Sequence, residues 1–251
     1  MIATRPLLAT LANLRDVGGH ATADGQHVRT GLVFRGEAPA LADLADARAL
    51  HADLGIAEVI DLRRADEAAR RPLPTVLHDR VDVHAVPFDV DVPPHLQRRD
   101  LNGAPASGAH MGHFYAWMAE HNLAPLRQVY ERLGNARVPV LVHCAVGKDR
   151  TGVTVALALL ALGVDPDDVV ADYRRSHPAM RTTLQRLDPV LGPADADGDA
   201  RFGAPAEAIT TFLAELADRH GSTEGFWDLL DVDGTLRCGL RARLLEPAPS
   251  R

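Results

Sequence analysis

Lysine is all but missing from this chain. Of its 27 Lys and Arg residues over 251 positions only Lys148 is lysine, and every other one is arginine. Cysteine is nearly as scarce: Cys144 and Cys238 stand far apart and are too few for the disulfide framework of a small secreted domain. A reducing cytoplasm is therefore the expected compartment, and there a lone thiol can serve as a reagent. A basic excess is absent too. Asp and Glu number 34 and the formal net charge is -7, which excludes the long-range attraction by which nucleic-acid and anionic-membrane binders gather their partners. No apolar run approaches the ~20 residues a bilayer span needs. The longest, residues 153–164, has the length of a buried helix. The first 14 residues hold only a broken apolar run without a small-residue cleavage site, so no secretory signal is expected. The 12 histidines show no metal-ligand spacing, and neither a metal nor a cofactor is expected.

What is present, 46% hydrophobic and 24% charged residues, suits one domain over residues 1–251 with a sizeable core. Short β-rich runs alternate with helix-length segments, the pattern of an α/β domain whose mainly parallel sheet of four to five strands is flanked by helices. Strands are predicted at residues 31–35, 57–62, 80–87 and 138–143, the last apolar enough to be buried on both faces. Helical patterns cover 39–54, 112–134 with a break near Asn122, and most of the chain beyond 164. Residues 89–109 are polar and irregular. With the helical stretch up to 122 they read as a lid insertion over about 89–122, and the Phe114, Tyr115, Trp117 and Met118 that crowd together there suit core packing first, or an aromatic lid over an aryl phosphate. Residues 178–246 read as a helical C-terminal extension, and 192–203, rich in Ala, Asp, Gly and Pro, as an internal linker.

After the buried strand comes His143-Cys144-Ala145-Val146-Gly147-Lys148-Asp149-Arg150-Thr151-Gly152, with the apolar helix beginning inside it. Strand, glycine-containing loop and helix N-terminus together aim backbone N–H groups and the positive end of a helix dipole at one point, which makes an anion cradle. A cysteine at its start has its thiolate stabilised by the same donors and becomes a nucleophile. Arg150, six residues on, can swing a planar guanidinium over the loop and clamp phosphate oxygens in pairs. Thr151 can offer its hydroxyl to the leaving sulfur. The implied chemistry is in-line attack of Cys144 on phosphorus, a phosphocysteine intermediate, and its hydrolysis to inorganic phosphate.

These residues match the His-Cys-x-x-Gly-x-x-Arg-[Ser/Thr] signature, and the sequence resembles the cysteine-dependent protein-tyrosine phosphatase superfamily. Residues 13–19 (Asn-Leu-Arg-Asp-Val-Gly-Gly), 31–35, Asp61-Leu62-Arg63 and 168–173 resemble its bacterial tyrosine and dual-specificity branch, some members of which also act on phosphoinositides. The resemblance implies the fold of that superfamily, and phosphorylated proteins or phosphoinositide headgroups as substrates; a monomer is expected. It makes Cys144 the nucleophile, Arg150 the phosphate clamp, His143 a holder of Cys144 rather than a base, and residues 145–148 the substrate cradle. Lys148 is expected at the rim, adding positive potential for an inositol phosphate.

No Trp-Pro-Asp occurs anywhere, so the general acid differs from that of the eukaryotic enzymes. Asp149 in the loop is the first candidate, as the branch implies, and Asp89 at the mouth of the lid is the alternative. Asp61 can orient water or Arg150, or simply pair with Arg63. Arg63 and Arg64 can widen a basic mouth or form a solvated turn, and Arg15 and Asp16 can contact substrate or form a buried pair. Two other activities fit a cysteine in an anion loop: a phosphate-binding pseudophosphatase and a rhodanese-like sulfurtransferase. The Asp-x-Asp-Gly-Thr of residues 231–235 lies too near the chain's end for a dehalogenase-type nucleophile and reads as a helix–turn–helix with Gly234 in the turn.

Overall fold

A computed structural model describes residues 7–91, 106–188 and 199–248. Strands β1 (Arg15–Asp16), β3 (Val33–Gly36), β4 (Glu58–Asp61), β5 (Asp82–Ala85) and β6 (Val140–His143) form a five-stranded sheet in the order β1-β3-β6-β4-β5. Every pairing is parallel except the edge pair of β1 with β3. β6 is central. Leu141 points into the core on one face with Phe34, Leu50 and Val59, while Val140 and Val142 point into the larger core on the other. That alternation is why its sequence is apolar throughout.

Helices cover both faces. α1 (Leu44–Ala52), capped by Asp43, lies over the smaller core. On the larger core lie α3 (Gly108–His121), α4 (Leu123–Asn135) and α5 (Asp149–Leu162), and the last of these is buried along nearly its whole length. α2 (Ala65–Arg70) follows β4, and α6 (Pro166–Arg174) and α7 (His177–Leu187) follow α5. Beyond the second gap come α8 (Ala206–His220), α9 (Thr223–Leu230) and α10 (Thr235–Leu244). Gly234, at φ 74°, makes the turn between the last two. A second small sheet pairs β2 (Gln26–Val28) antiparallel with β7 (Leu245–Pro247).

Two sequence expectations change here. The stretch taken as the helical half of a lid is core: Met111, Phe114, Tyr115, Ala116, Met118 and Ala119 of α3 are all fully buried, and α3 packs along α8. Gly112 permits that approach, since a Cβ there would meet Thr211 Cβ at 2.5 Å. Residues 92–105 of the insertion lie outside the described residues. The helices after residue 178 are no appendage either, because Phe212, Leu216, Trp227 and Leu240 join Tyr115, Tyr130 and Val155 in one hydrophobic cluster. Of the linker stretch, Ala200–Phe202 forms a 3-10 turn with Ala200 buried.

Candidate active site

β6 delivers the chain into the loop 144–148, and α5 leaves it. Ala145 O accepts from Ala38 N at 3.1 Å, Val146 O from Asn13 Nδ2 at 2.7 Å and Gly147 O from Arg35 Nη2 at 2.9 Å. Three successive carbonyls are thus held outward by donors from the surrounding fold. In a trans peptide the N–H points opposite to the C=O, so the N–H groups of Val146, Gly147 and Lys148 turn inward together. Gly147 has φ 73°, and a Cβ on it would lie 2.3 Å from the carbonyl carbon and oxygen of Gly36, so only glycine fits. Arg35 is itself buried between Gly147 O and the Asp172 carboxylate (2.6 Å), which also receives Arg15 Nε at 2.8 Å. Burial and the neighbouring Arg15 charge lower the Arg35 pKa to about 10, yet it remains a cation at neutral pH.

Arg150, in the first turn of α5, is oriented by a residue 83 positions earlier. Its Nη1 reaches Glu67 Oε2 at 2.5 Å and Leu62 O at 3.2 Å, and its Nη2 reaches Glu67 Oε1 at 2.8 Å. A guanidinium has five N–H donors. The two that remain, Nε–H and the second Nη2–H, lie side by side, and Nε is buried without a partner among the described residues. That edge is shaped to take two oxygens of one phosphate. Burial tends to lower the Arg150 pKa, but Glu67 and Cys144 outweigh it and raise it. Burial tends to raise that of Glu67, but Arg150 outweighs it, so both stay charged.

The acid candidates separate clearly. Asp149 is buried at the start of α5, where Tyr115 Oη donates to its Oδ1 at 2.7 Å and Tyr173 Oη lies 2.8 Å from the Tyr115 oxygen. Asp89 is exposed. Asn122 holds its backbone, and its carboxylate accepts the N–H of Asp91.

A cleft of about 460 Å³ opens over the loop. Cys144, Ala145, Val146, Asp149, Arg150 and Glu67 form its polar end, Val90, Phe114, Leu184, Leu187 and Phe202 its apolar walls, and Arg64 and Arg201 complete it. A family model described as "Tyrosine phosphatase family" matches residues 6–246. The chain belongs to the tyrosine phosphatase family. Among its relatives, "Triple specificity protein phosphatase PtpB" of Mycobacterium tuberculosis is 35% identical, over 85% of this chain and 89% of that protein. "Tyrosine-protein phosphatase" of Nostoc commune is 30% identical over 80% and 69%. A solved structure, the core catalytic domain of the PP-IP phosphatase SIW14 from S. cerevisiae, is similar with a TM-score of 0.41 at 13% identity, over 85% of this chain and 96% of that one. Membership of that family separates the chain from the sulfurtransferases that share a cysteine in an anion-binding loop.

Several residues of this phosphatase take places that differ from expectation. Lys148 is not at the rim. It is 1% exposed, and its Nζ donates to the carbonyls of Ala200 (3.0 Å), Arg201 (2.9 Å) and Gly203 (3.0 Å). Arg63 and Asp61 do not line the cleft. They form a buried pair (2.6 Å), with Arg63 also donating to Arg71 O, and burial's upward pull on the Asp61 carboxyl is outweighed by His143 and Arg63. Arg15 belongs to the buried Asp172 network, while Asp16 caps the N–H groups of Gly18 and Gly31. Burial depresses the His143 pKa. Because a carbonyl only accepts, its Nδ1–H donates to Cys144 O at 3.0 Å. The Thr151 hydroxyl is buried without a partner among the described residues. No three or more His, Cys, Asp or Glu side chains among those residues converge as metal ligands, and no helix is long and apolar enough to cross a membrane. Glu67, Asn13, Arg35, Tyr115, Arg201 and Phe202 were not singled out as site residues from sequence. Only Glu67, third in a helix that opens with acidic residues, carries a local signal, and that signal speaks for capping.

Proposed function

We propose that this phosphatase hydrolyses phosphomonoesters with Cys144 as nucleophile, Arg150 as clamp and Asp149 as general acid. The observation that carries this reading is the loop whose three carbonyls are tied outward beside Cys144, facing the open edge of Arg150. The phosphate dianion sits among the loop N–H groups and takes two of its oxygens from that edge. Cys144 Sγ attacks phosphorus in line, the bond from phosphorus to the leaving oxygen breaks, and the Asp149 proton passes to that oxygen. A water then attacks the phosphocysteine, returns its proton to Asp149, and frees the Cys144 thiolate and orthophosphate. The Thr151 hydroxyl is available to the sulfur as it leaves. Backbone N–H groups and one guanidinium supply the charge stabilisation that the phosphoryl group needs.

Phosphotyrosine is the substrate class the cleft suits best, because Phe114, Leu184, Leu187 and Phe202 give an aryl leaving group an apolar slot. Phosphoserine, phosphothreonine and phosphoinositide headgroups are the second reading, favoured by Arg64 and Arg201 at the same cleft and by a relative named for triple specificity. Both cysteines are free, which suits the reducing cytoplasm. Turnover of an aryl phosphate and of phosphopeptides by Cys144→Ser tests the assignment. The variant should lose turnover yet still bind orthophosphate. Retained turnover removes Cys144 from the nucleophile role, and a wild type that binds orthophosphate but releases none from any phosphomonoester is a pseudophosphatase.

A further inference from the structure

We propose that Lys148 is a positioning residue that ties the phosphate loop to the turn Ala200–Phe202 and so sets the wall against which the substrate's leaving group packs. The inference rests on the reading of the Cys144 loop as the phosphate site. An ammonium has three N–H donors. In Lys148 the carbonyls of Ala200, Arg201 and Gly203 lie within 3.0 Å of Nζ, so one turn of backbone takes a full set. The side chain is buried, and Asp149 Oδ1 lies 3.5 Å from Nζ. A cation spent in this way has no donor left for a headgroup in the cleft.

What it holds does face the cleft. Arg201 and Phe202, the second and third residues of the tethered turn, line the wall across from Cys144, and the Arg201 guanidinium packs 5.3 Å from the Phe202 ring centre while bonded to Asp199. The next residue after Lys148 is Asp149, so the acid and the leaving-group wall share one anchor. The geometry also accounts for the residue type. Three carbonyls converging on one point need a compact, rotatable ammonium, and the flat fork of a guanidinium cannot present its donors that way in a closed space. In a chain that uses arginine for every other fixed positive charge, the one lysine stands where arginine does not fit.

Because Lys148 is the only lysine, acylation of the native protein with an amine-directed reagent, read by peptide mass, reports on it alone apart from the N-terminal amine. Lys148 should stay unlabelled with and without orthophosphate while the N-terminal amine reacts, and it should label only after denaturation. Ready labelling that orthophosphate suppresses would put the ammonium on the phosphate and overturn the proposal. The kinetic arm compares Lys148→Met, Phe202→Ala and the double variant. Each single change should raise KM for an aryl phosphate by roughly tenfold and leave the orthophosphate inhibition constant within about twofold, and the double variant should be no worse than the singles. Losses that multiply toward ~100-fold, or an orthophosphate constant that rises in step with KM, would refute the tether. Should Lys148→Met fail to fold, the labelling result decides. Failure of the underlying phosphate-site reading shows differently, as retained turnover in Cys144→Ser.

Discussion

A carboxyl proposed to give its proton to a leaving oxygen has to be fixed in place. Asp149 meets that requirement through Tyr115, a neutral donor to Oδ1 whose own pKa burial and Asp149 push well above 10. Asp149→Asn should therefore lower kcat by about 10²–10³ for alkyl phosphates and much less for p-nitrophenyl phosphate, whose leaving oxygen needs little protonation. Asp89→Asn should stay within about twofold for both, and Tyr115→Phe should follow the leaving-group pattern of Asp149→Asn at smaller size. Steady-state rates across leaving groups check all three, and a steep dependence appearing only in Asp89→Asn would reassign the acid. Residue identity was most legible where the chemistry is local. Cys144, Arg150 and Asp149 announce themselves in a single loop. The role of Lys148 did not, because nothing local distinguishes an ammonium at a rim from one buried against carbonyls 52 to 55 positions away.

At the scale of elements, the passage from β6 through the loop into α5 is the unit proposed to bind phosphate. Its shape depends on Gly147 lying against Gly36 of β3, with donors from Asn13, Ala38 and Arg35 drawing the carbonyls away from the cleft. Gly147→Ala places a Cβ 2.3 Å from Gly36 backbone and asks alanine for a left-handed φ. The variant should lose both turnover and orthophosphate binding, while circular dichroism shows retained secondary structure and the stability falls by roughly 1–3 kcal/mol. Retained phosphate binding would mean that the loop is not held as described. β6 was readable from its apolar run, since burial on both faces leaves little choice of residue, whereas the edge strand β5 is mostly exposed. β1, β2 and β7, at two or three residues each, carry no period to read. α3 was misplaced as a lid because its apolar face follows an irregular polar stretch, and only its packing on α8 shows it to be core.

For the molecule as a whole, the charge of -7 conceals a positive centre. Arg15 from β1, Arg35 from β3 and Asp172 from α6 meet in a buried cluster directly behind the phosphate loop, joining the N-terminal edge of the sheet to the helices that follow α5. Burial alone would raise the Asp172 pKa, but Arg15 and Arg35 outweigh it and hold it well below the usual 3.8. The folded state therefore binds that proton less readily than the unfolded chain. The stabilisation is complete above about pH 3.8 and drains away as the pH falls below it. Asp172→Asn, which leaves two arginines facing each other, should cost about 3–5 kcal/mol at pH 7. It should also lack this part of the acid decline in denaturant titrations run from pH 7 to pH 3. An unchanged pH 7 stability would show the cluster to be dispensable.

The sequence alone determined the α/β class, the central strand and the chemistry of the loop, because strand burial and an anion cradle each impose residue types on consecutive positions. Tertiary structure alone decided which partners complete that loop. Glu67 aligns Arg150, Tyr115 holds Asp149, Arg35 and Asn13 turn the carbonyls outward, and Lys148 fastens the wall made by Arg201 and Phe202. All of these contacts join residues remote in the chain, where no spacing rule operates, so only folding brings the donors and acceptors to hydrogen-bond distance.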